Sequence, residues 1–195
     1  MVISLNQFFG IFGGGTELPP KSSFLNQQDL GILLSLIKAF RSRRIIEFGV
    51  GTGANAKVIL DQCNWIETYV GIDVPPGTIP TLTFQQPEVP EDAGHLARED
   101  ERFELWVREC GSLSIEAGQL VGFDFAFIDG DHSQEAVKHD TMLARAAINR
   151  GVICWHDYGR QAASGPKIVI DEINRAEGNH ICLVEPTTMC FKILY

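Results

Sequence analysis

Arg44-Ile45-Ile46-Glu47-Phe48-Gly49-Val50-Gly51-Thr52-Gly53-Ala54-Asn55 is the stretch that decides the fold. Residues 45–48 are apolar apart from Glu47, the composition of a strand buried on both faces of a parallel sheet. Glycine then fills three of five positions, and Ala54-Asn55-Ala56-Lys57-Val58-Ile59-Leu60 resumes as a helix. A strand, a glycine turn and a helix N-terminus therefore follow one another. Glycine reaches positive φ without strain and has no Cβ, so bare N–H groups at such a turn can meet a flat or anionic ligand closely. Glycine costs ~1 kcal/mol against alanine inside an element, and three so close together need a reason. The turn is the expected cofactor site.

Gly49-x-Gly51-x-x-Ala54 satisfies the loose dinucleotide fingerprint, and Asp73 ends the next apolar run, where a ribose-binding acid belongs. NAD is thus permitted. Glu47 argues against it: a buried carboxylate just before the turn would repel a pyrophosphate, yet it suits a cationic ligand such as a sulfonium, directly or through water. S-Adenosylmethionine is the preferred cofactor. The run Glu47-x-Gly49-x-Gly51-x-Gly53 resembles the first motif of the class I S-adenosylmethionine-dependent methyltransferases. On that resemblance Glu47, Gly49, Gly51 and Gly53 join Asp73 in holding the cofactor.

The chain has 195 residues, 45% of them hydrophobic, enough for one well-buried domain and too few for two of ordinary size. That domain is expected at 26–195, behind an extended arm at 1–25. The net charge is −9, and the only basic cluster, Arg41-Ser42-Arg43-Arg44, sits at an expected helix end, where cations oppose the dipole. Nucleic acid is therefore excluded as a partner. Five cysteines, odd in number and never spaced Cys-x-x-Cys, read as reduced core thiols of a cytoplasmic protein. No apolar run approaches membrane-spanning length, and the N-terminus lacks the marks of a signal peptide.

In the arm, the apolar Phe8-Phe9-Gly10-Ile11-Phe12 is followed by Gly13-Gly14-Gly15 and Pro19-Pro20, which break regular structure. Its aromatics can cover the site or a neighbouring subunit, or pack back on their own domain. Asn26 can cap a helix reaching about Phe40, with Leu30, Leu33, Leu34 and Ile37 on one face. Residues 69–73 read as the second strand. The 74–100 segment is Pro-rich, then acidic, and lies where a crossover helix normally would. It is expected to be a substrate-side insertion or lid, with a solvated loop as the alternative.

Residues 103–107 alternate as a third strand, leading to Cys110-Gly111-Ser112; Ser112 is placed beside the adenine on resemblance more than chemistry. The fourth strand, 123–128, delivers Asp129-Gly130-Asp131-His132, with Ser133 capping the next helix. The fifth, 151–155, delivers His156-Asp157-Tyr158. Residues 167–177 can form the last helix, and two strands at 181–184 and 189–194 form a terminal hairpin. The fold class is therefore α/β, a doubly wound Rossmann-like sheet, mostly parallel with an antiparallel last strand.

Neighbouring parallel strands end on the same side, so Asp129, Asp131, His132, His156 and Asp157 should converge beside the cofactor. Carboxylates with a histidine and open positions suit a divalent cation such as Mg²⁺ or Mn²⁺, which would orient and acidify a substrate hydroxyl. Methyl transfer to oxygen needs such help, since a neutral alcohol is a poor nucleophile. His132 is the natural base. The segments 127–133, with Val137 and Asp140, and 151–157 are similar to methyltransferase domain family 24, over about residues 43–194. That resemblance implies an ion on Asp129 and on acids after the fifth strand, with Asp131 or His132 as base. Asp129 then borders both cofactor and ion. His156 stands where the metal-dependent relatives carry the first acid of a pair; it can still ligate, but favours a softer ion or none.

The reading is a methyltransferase acting on the oxygen of a small molecule, a sugar or natural product, with Asp131 and His132 catalytic and Asp129, His156 and Asp157 as the metal set. Two rivals stay open: an NAD-dependent oxidoreductase and an S-adenosylmethionine-binding protein without turnover. A homo-oligomer is left open.

Overall fold

Each central strand buries both faces, and its alternating side chains decide which helices cover which side. The computed structural model describes residues 1–14 and 25–195. Eight strands form one sheet: β1 (Val2–Ser4), β2 (Arg44–Phe48), β3 (Thr68–Asp73), β4 (Phe103–Val107), β5 (Phe123–Ile128), β6 (Ile148–Trp155), β7 (Cys182–Glu185) and β8 (Cys190–Leu194). Their order is β1-β7-β8-β6-β5-β2-β3-β4. All neighbours are parallel except β6–β8 and β7–β8, so the terminal hairpin inserts β8 antiparallel.

The helices are α1 (Leu5–Phe12), α2 (Gln27–Phe40), α3 (Ala54–Gln62), α4 (Gln134–Ala147) and α5 (Ser164–Ala176). Ile45, Tyr69, Phe125, Phe127 and Val152 pack with Leu30, Leu33, Leu36 and Ile37 of α2 and Ile59 and Leu60 of α3. On the other face Ile46, Phe48, Ile72, Ala126 and Trp155 pack with Val137 and Leu143 of α4 and Val169 and Ile170 of α5. The doubly wound expectation holds. Asn26 caps α2 by accepting from Gln28 N and Asp29 N, and Ser133 caps α4 by accepting from Ala136 N, as their types require.

Residues 1–14 are not the extended arm expected. Ser4 and Gln7 close a reciprocal capping box on α1, which outweighs the cost of Gly10 within it. Phe8 is wholly buried and, with Phe12, meets the Phe191 ring, while β1 adds to β7. The chain thus packs back on its own core. Residues 15–24, with Pro19 and Pro20, lie outside the described residues.

No α-helix joins β3 to β4 in residues 74–100. A 3₁₀ turn, Thr83–Glu88, and a run of turns stand there instead. Gly94 N donates to Gly51 O at 2.9 Å and Leu96 N to Thr52 O at 3.0 Å, and Ala93 and Ala97 are buried. The segment is therefore stitched to the glycine turn and leads the chain over the carboxyl edge of the sheet.

Candidate functional site

Strand β2 is followed outward by β3 and β4, but its other neighbour is β5, so the order in which the chain adds strands reverses between β2 and β5. Ligands bind at such a switch point, outside the carboxyl ends of the strands. A cavity of about 500 Å³ opens there, within the range of small-molecule sites. Gly49, Gly51, Asp73, Ser112, Asp129, Asp131, His132, His156 and Asp157 all line it. Glu47 and Gly53 do not.

One half is built by backbone. Gly49 adopts φ +81°, and a Cβ there would stand 2.4 Å from the Asp129 carbonyl oxygen and 2.6 Å from Gly130 Cα. Only glycine lets the ends of β2 and β5 close on each other. Gly51 N donates to Asp73 Oδ2 at 2.7 Å and Val74 N to Asp73 Oδ1 at 2.7 Å. Burial pushes the Asp73 carboxyl up to about 6, against those amides. Gly53 opens α3, and a Cβ on it would stand 3.0 Å from Gly94 Cα, so its bare backbone makes room for the 74–100 segment.

Glu47 lies beneath this half, fully buried, accepting from Tyr69 OH at 2.9 Å and Asn55 Nδ2 at 3.1 Å. Burial pushes its carboxyl up to about 8. It does not line the cavity itself, but it is bonded to Asn55, which does. Asn55 Oδ1 and Asp140 Oδ1 are buried without hydrogen-bond partners. Burial raises Asp140, which lies beside Ser112 on the cavity wall, to about 7.

The other half is built by side chains. His132 Nε2 lies 2.6 Å from Asp157 Oδ2 and 3.9 Å from Asp129 Oδ1. His156 Nδ1 lies 3.0 Å from Asp129 Oδ1 and 3.5 Å from Asp157 Oδ1. Its Nε2 lies 3.2 Å from Oδ2 of Asp29, a buried acid from the first turn of α2. Asp157 itself has a left-handed backbone, φ +58°, which aspartate adopts more readily than most non-glycine residues.

These neighbours set the charges. Burial disfavours an ionised Asp129 or Asp157, but the two histidines hold both carboxyls below their usual range. Burial likewise opposes a charged His132, yet Asp129 and Asp157 push it up to about 9, and the acids around His156 raise it well above the ordinary value. Asp131 differs: its oxygens accept from Ser133 N at 2.7 Å and Thr81 N at 3.1 Å, so it ties the strand end to the 74–100 segment.

That segment roofs the cluster. Gln85 accepts from His132 N at 3.0 Å and donates to Gly130 O at 3.2 Å, Phe84 stacks on the His132 ring, and Glu88 faces Arg160 at 3.5 Å. Arg160 also bonds Asp157 at 3.1 Å. Asp29, Asn55, Gln85 and Arg160 escape the sequence reading. Asp29 leaves one trace, an acid four residues before Leu33 of the apolar stripe. Asn55 stands at the start of the helix after the glycines, where only its polar type marks it, and Gln85 and Arg160 sit in stretches without period.

Comparison with known proteins agrees with this architecture. A family model described as a methyltransferase domain matches residues 46–158. No curated protein matches the sequence. Among solved structures, the fold is similar to a putative caffeoyl-CoA O-methyltransferase from Staphylococcus aureus, at TM-score 0.60 and 14% identity, covering 98% of this chain and 90% of that one. It is also similar to the O-methyltransferase TomG from Streptomyces achromogenes, involved in tomaymycin synthesis and solved in complex with S-adenosylmethionine (SAM): TM-score 0.59, 14% identity, coverage 98% and 88%. An O-methyltransferase from Bacillus cereus in complex with SAH gives TM-score 0.56, 16% identity and coverage of 97% and 90%.

Proposed function

The chain belongs to the methyltransferase domain family, and on that premise we propose that it moves the methyl group of S-adenosylmethionine to the oxygen of a small-molecule hydroxyl, in the cytoplasm. The carrying observation is a cavity with a backbone-built half, left with unpartnered buried oxygens, beside a half dense in acids and histidines. The first half suits S-adenosylmethionine: Asp73 is placed for the ribose hydroxyls, Ser112 and its loop for the adenine, and Asn55 for the amino acid end. When bound, that cofactor supplies a methyl group on a sulfonium, whose departure leaves a neutral thioether.

The acceptor belongs to the second half. His132 serves as the proton acceptor, by its place in the cavity wall beside Asp129 and Asp157: Nε2 lies 2.6 Å from Asp157 Oδ2, and neither ring nitrogen completes a hydrogen bond. Asp131 contributes by anchoring Thr81, and through it the roof, more than by direct proton transfer. Asp129, His156 and Asp157 fit a divalent cation: one ligand atom from each lies within 4.8 Å of the others. Such an ion would acidify the acceptor hydroxyl. Sharing Asp157 with it would also return His132 toward its ordinary value, where a base works best at neutral pH.

Calorimetry with S-adenosylhomocysteine and with NAD, followed by methyl transfer to a panel of hydroxyl compounds, tests the reading. Expected are homocysteine-nucleoside binding, no response to NAD, and transfer to at least one acceptor. NAD binding alone would replace the reading with an oxidoreductase, and cofactor binding without any transfer would leave a binding protein.

A further inference from the structure

We propose that Asp29 is a positioning residue for the cation site, holding His156 in the tautomer whose Nδ1 lone pair faces Asp129 and Asp157, so that the trio selects a first-row transition ion over Mg²⁺. This deepens the methyl-transfer reading and rests on it for its meaning, but it is testable without turnover.

A neutral imidazole carries one N–H and one lone pair, and a cation held by Asp129 and Asp157 would take the lone pair of the nitrogen that faces them, Nδ1, leaving the hydrogen on Nε2. Asp29 Oδ2 sits 3.2 Å from His156 Nε2, on the side away from the other two acids. Asp29 is 2% exposed, and Asn26 Nδ2 donates to the same oxygen at 2.6 Å, so the carboxylate is pinned. With a cation on Nδ1, Nε2–H would have Asp29 Oδ2 as its acceptor, on the side of the ring away from the ion. A carboxylate behind a ligating histidine is the usual outer-shell device for fixing its tautomer and raising its basicity. On the opposite side the roles are reversed: His132 Nε2 lies 2.6 Å from Oδ2 of Asp157, itself one of the trio, whose Oδ1 lies 3.5 Å from Nδ1 of His156.

The ligand chemistry follows. An imidazole in place of a carboxylate removes one negative charge and one hard oxygen from the set, which weakens Mg²⁺ most. Nitrogen strengthens binding along the series from Mn²⁺ to Zn²⁺. The sequence position of His156 raises the question of a softer ion; buried Asp29, arriving from a helix more than a hundred positions earlier, answers it.

The test is calorimetric titration of chelator-treated protein with Co²⁺ and with Mg²⁺, with visible absorption to report the Co²⁺ ligand field, and S-adenosylhomocysteine affinity measured on the same samples. The natural chain should bind one Co²⁺ at least ~10²-fold tighter than Mg²⁺. Asp29→Asn should weaken Co²⁺ ~10-fold or more and shift its absorption, with homocysteine-nucleoside affinity unmoved. His156→Asp should narrow the gap by strengthening Mg²⁺ and weakening Co²⁺. Equal affinity for the two ions, no ion bound at all, or a folded Asp29→Asn with the natural ratio and spectrum would each overturn the proposal. If Asp29→Asn fails to fold, Asp29→Glu takes its place with the same direction expected, a natural spectrum and ratio there overturning the role of Asp29, and the ratio in the natural chain decides the ion preference. Loss of the methyltransferase reading would appear separately, as failure to bind S-adenosylhomocysteine.

Discussion

The two halves of the cavity are built from different parts of the polypeptide. On the glycine side, backbone groups make the wall: Gly51 N and Val74 N bond the Asp73 carboxyl, and Gly49 closes on the Asp129 carbonyl. On the acid side, side chains from α2, β5, β6 and the 74–100 segment make it, and nearly every charge already faces a partner. A wall of backbone has little freedom to rearrange, so it suits a ligand of fixed shape. A cluster of paired side chains stores protons and charge, so it suits chemistry. Damage to the first half should therefore show as lost cofactor affinity, and damage to the second as lost turnover.

The largest effect should come from Gly49→Ala. Its Cβ meets backbone that cannot step aside, and the positive φ adds ~1–3 kcal/mol of strain. S-Adenosylhomocysteine affinity should fall ~10²-fold or more, with a lower melting temperature; calorimetry and thermal unfolding check both, and near-natural binding would refute the backbone wall.

His132→Ala should lower turnover by ~10²-fold while leaving cofactor affinity alone. Steady-state kinetics beside calorimetry separates the two, and equal losses would mean that the histidine only supports the fold. Asp73→Asn mirrors it: affinity should drop ~10-fold, as for a lost charge-assisted hydrogen bond, with turnover at saturating cofactor nearly unchanged. An unaltered affinity would remove Asp73 from the ribose role and blur the contrast between the halves.

The smallest effect sharpens the comparison from below. Glu47, raised by burial from 4.5 to about 8, binds its proton more tightly folded than unfolded. Stability therefore falls as pH rises from about 4.5 to about 8. Glu47→Gln keeps the bonding atoms without the charge and should flatten that fall, making the variant the more stable chain above pH 8. Thermal melts across this window decide, and parallel curves would mean that Glu47 is not held neutral. Asp73 and Asp140, raised to about 6 and 7, have the same sign and should leave a residual slope.

Much of the first half is legible in the chain because its determinants are local. Strand, glycines and helix occupy one stretch, and Asp73 ends the very next strand, so spacing alone places them. The N-terminal segment misleads for a physical reason: Gly13 and Gly14 terminate α1 without preventing it, and the burial of Phe8 against Phe191 depends on β8, at the far end of the chain. Glu47 is half legible. Its position before the glycines is plain, but its charge depends on desolvation by both sheet faces and on Tyr69 and Asn55, none of which spacing reports.

The sequence by itself determined the order of strands and helices from Asn26 onward, the glycine turn, the caps at Asn26 and Ser133, and the delivery of Asp129–His132 and His156–Asp157 to one edge. Each of these follows from side-chain period, backbone freedom or the polarity of parallel strands, all local quantities. Only the tertiary structure decided that Asp29 stands behind His156, that Gln85, Phe84 and Arg160 roof His132, and that Glu47 lies beneath the cavity instead of in it. Those relations depend on how layers pack across the sheet, where residues distant in the chain meet in a low-dielectric interior and set one another's charge.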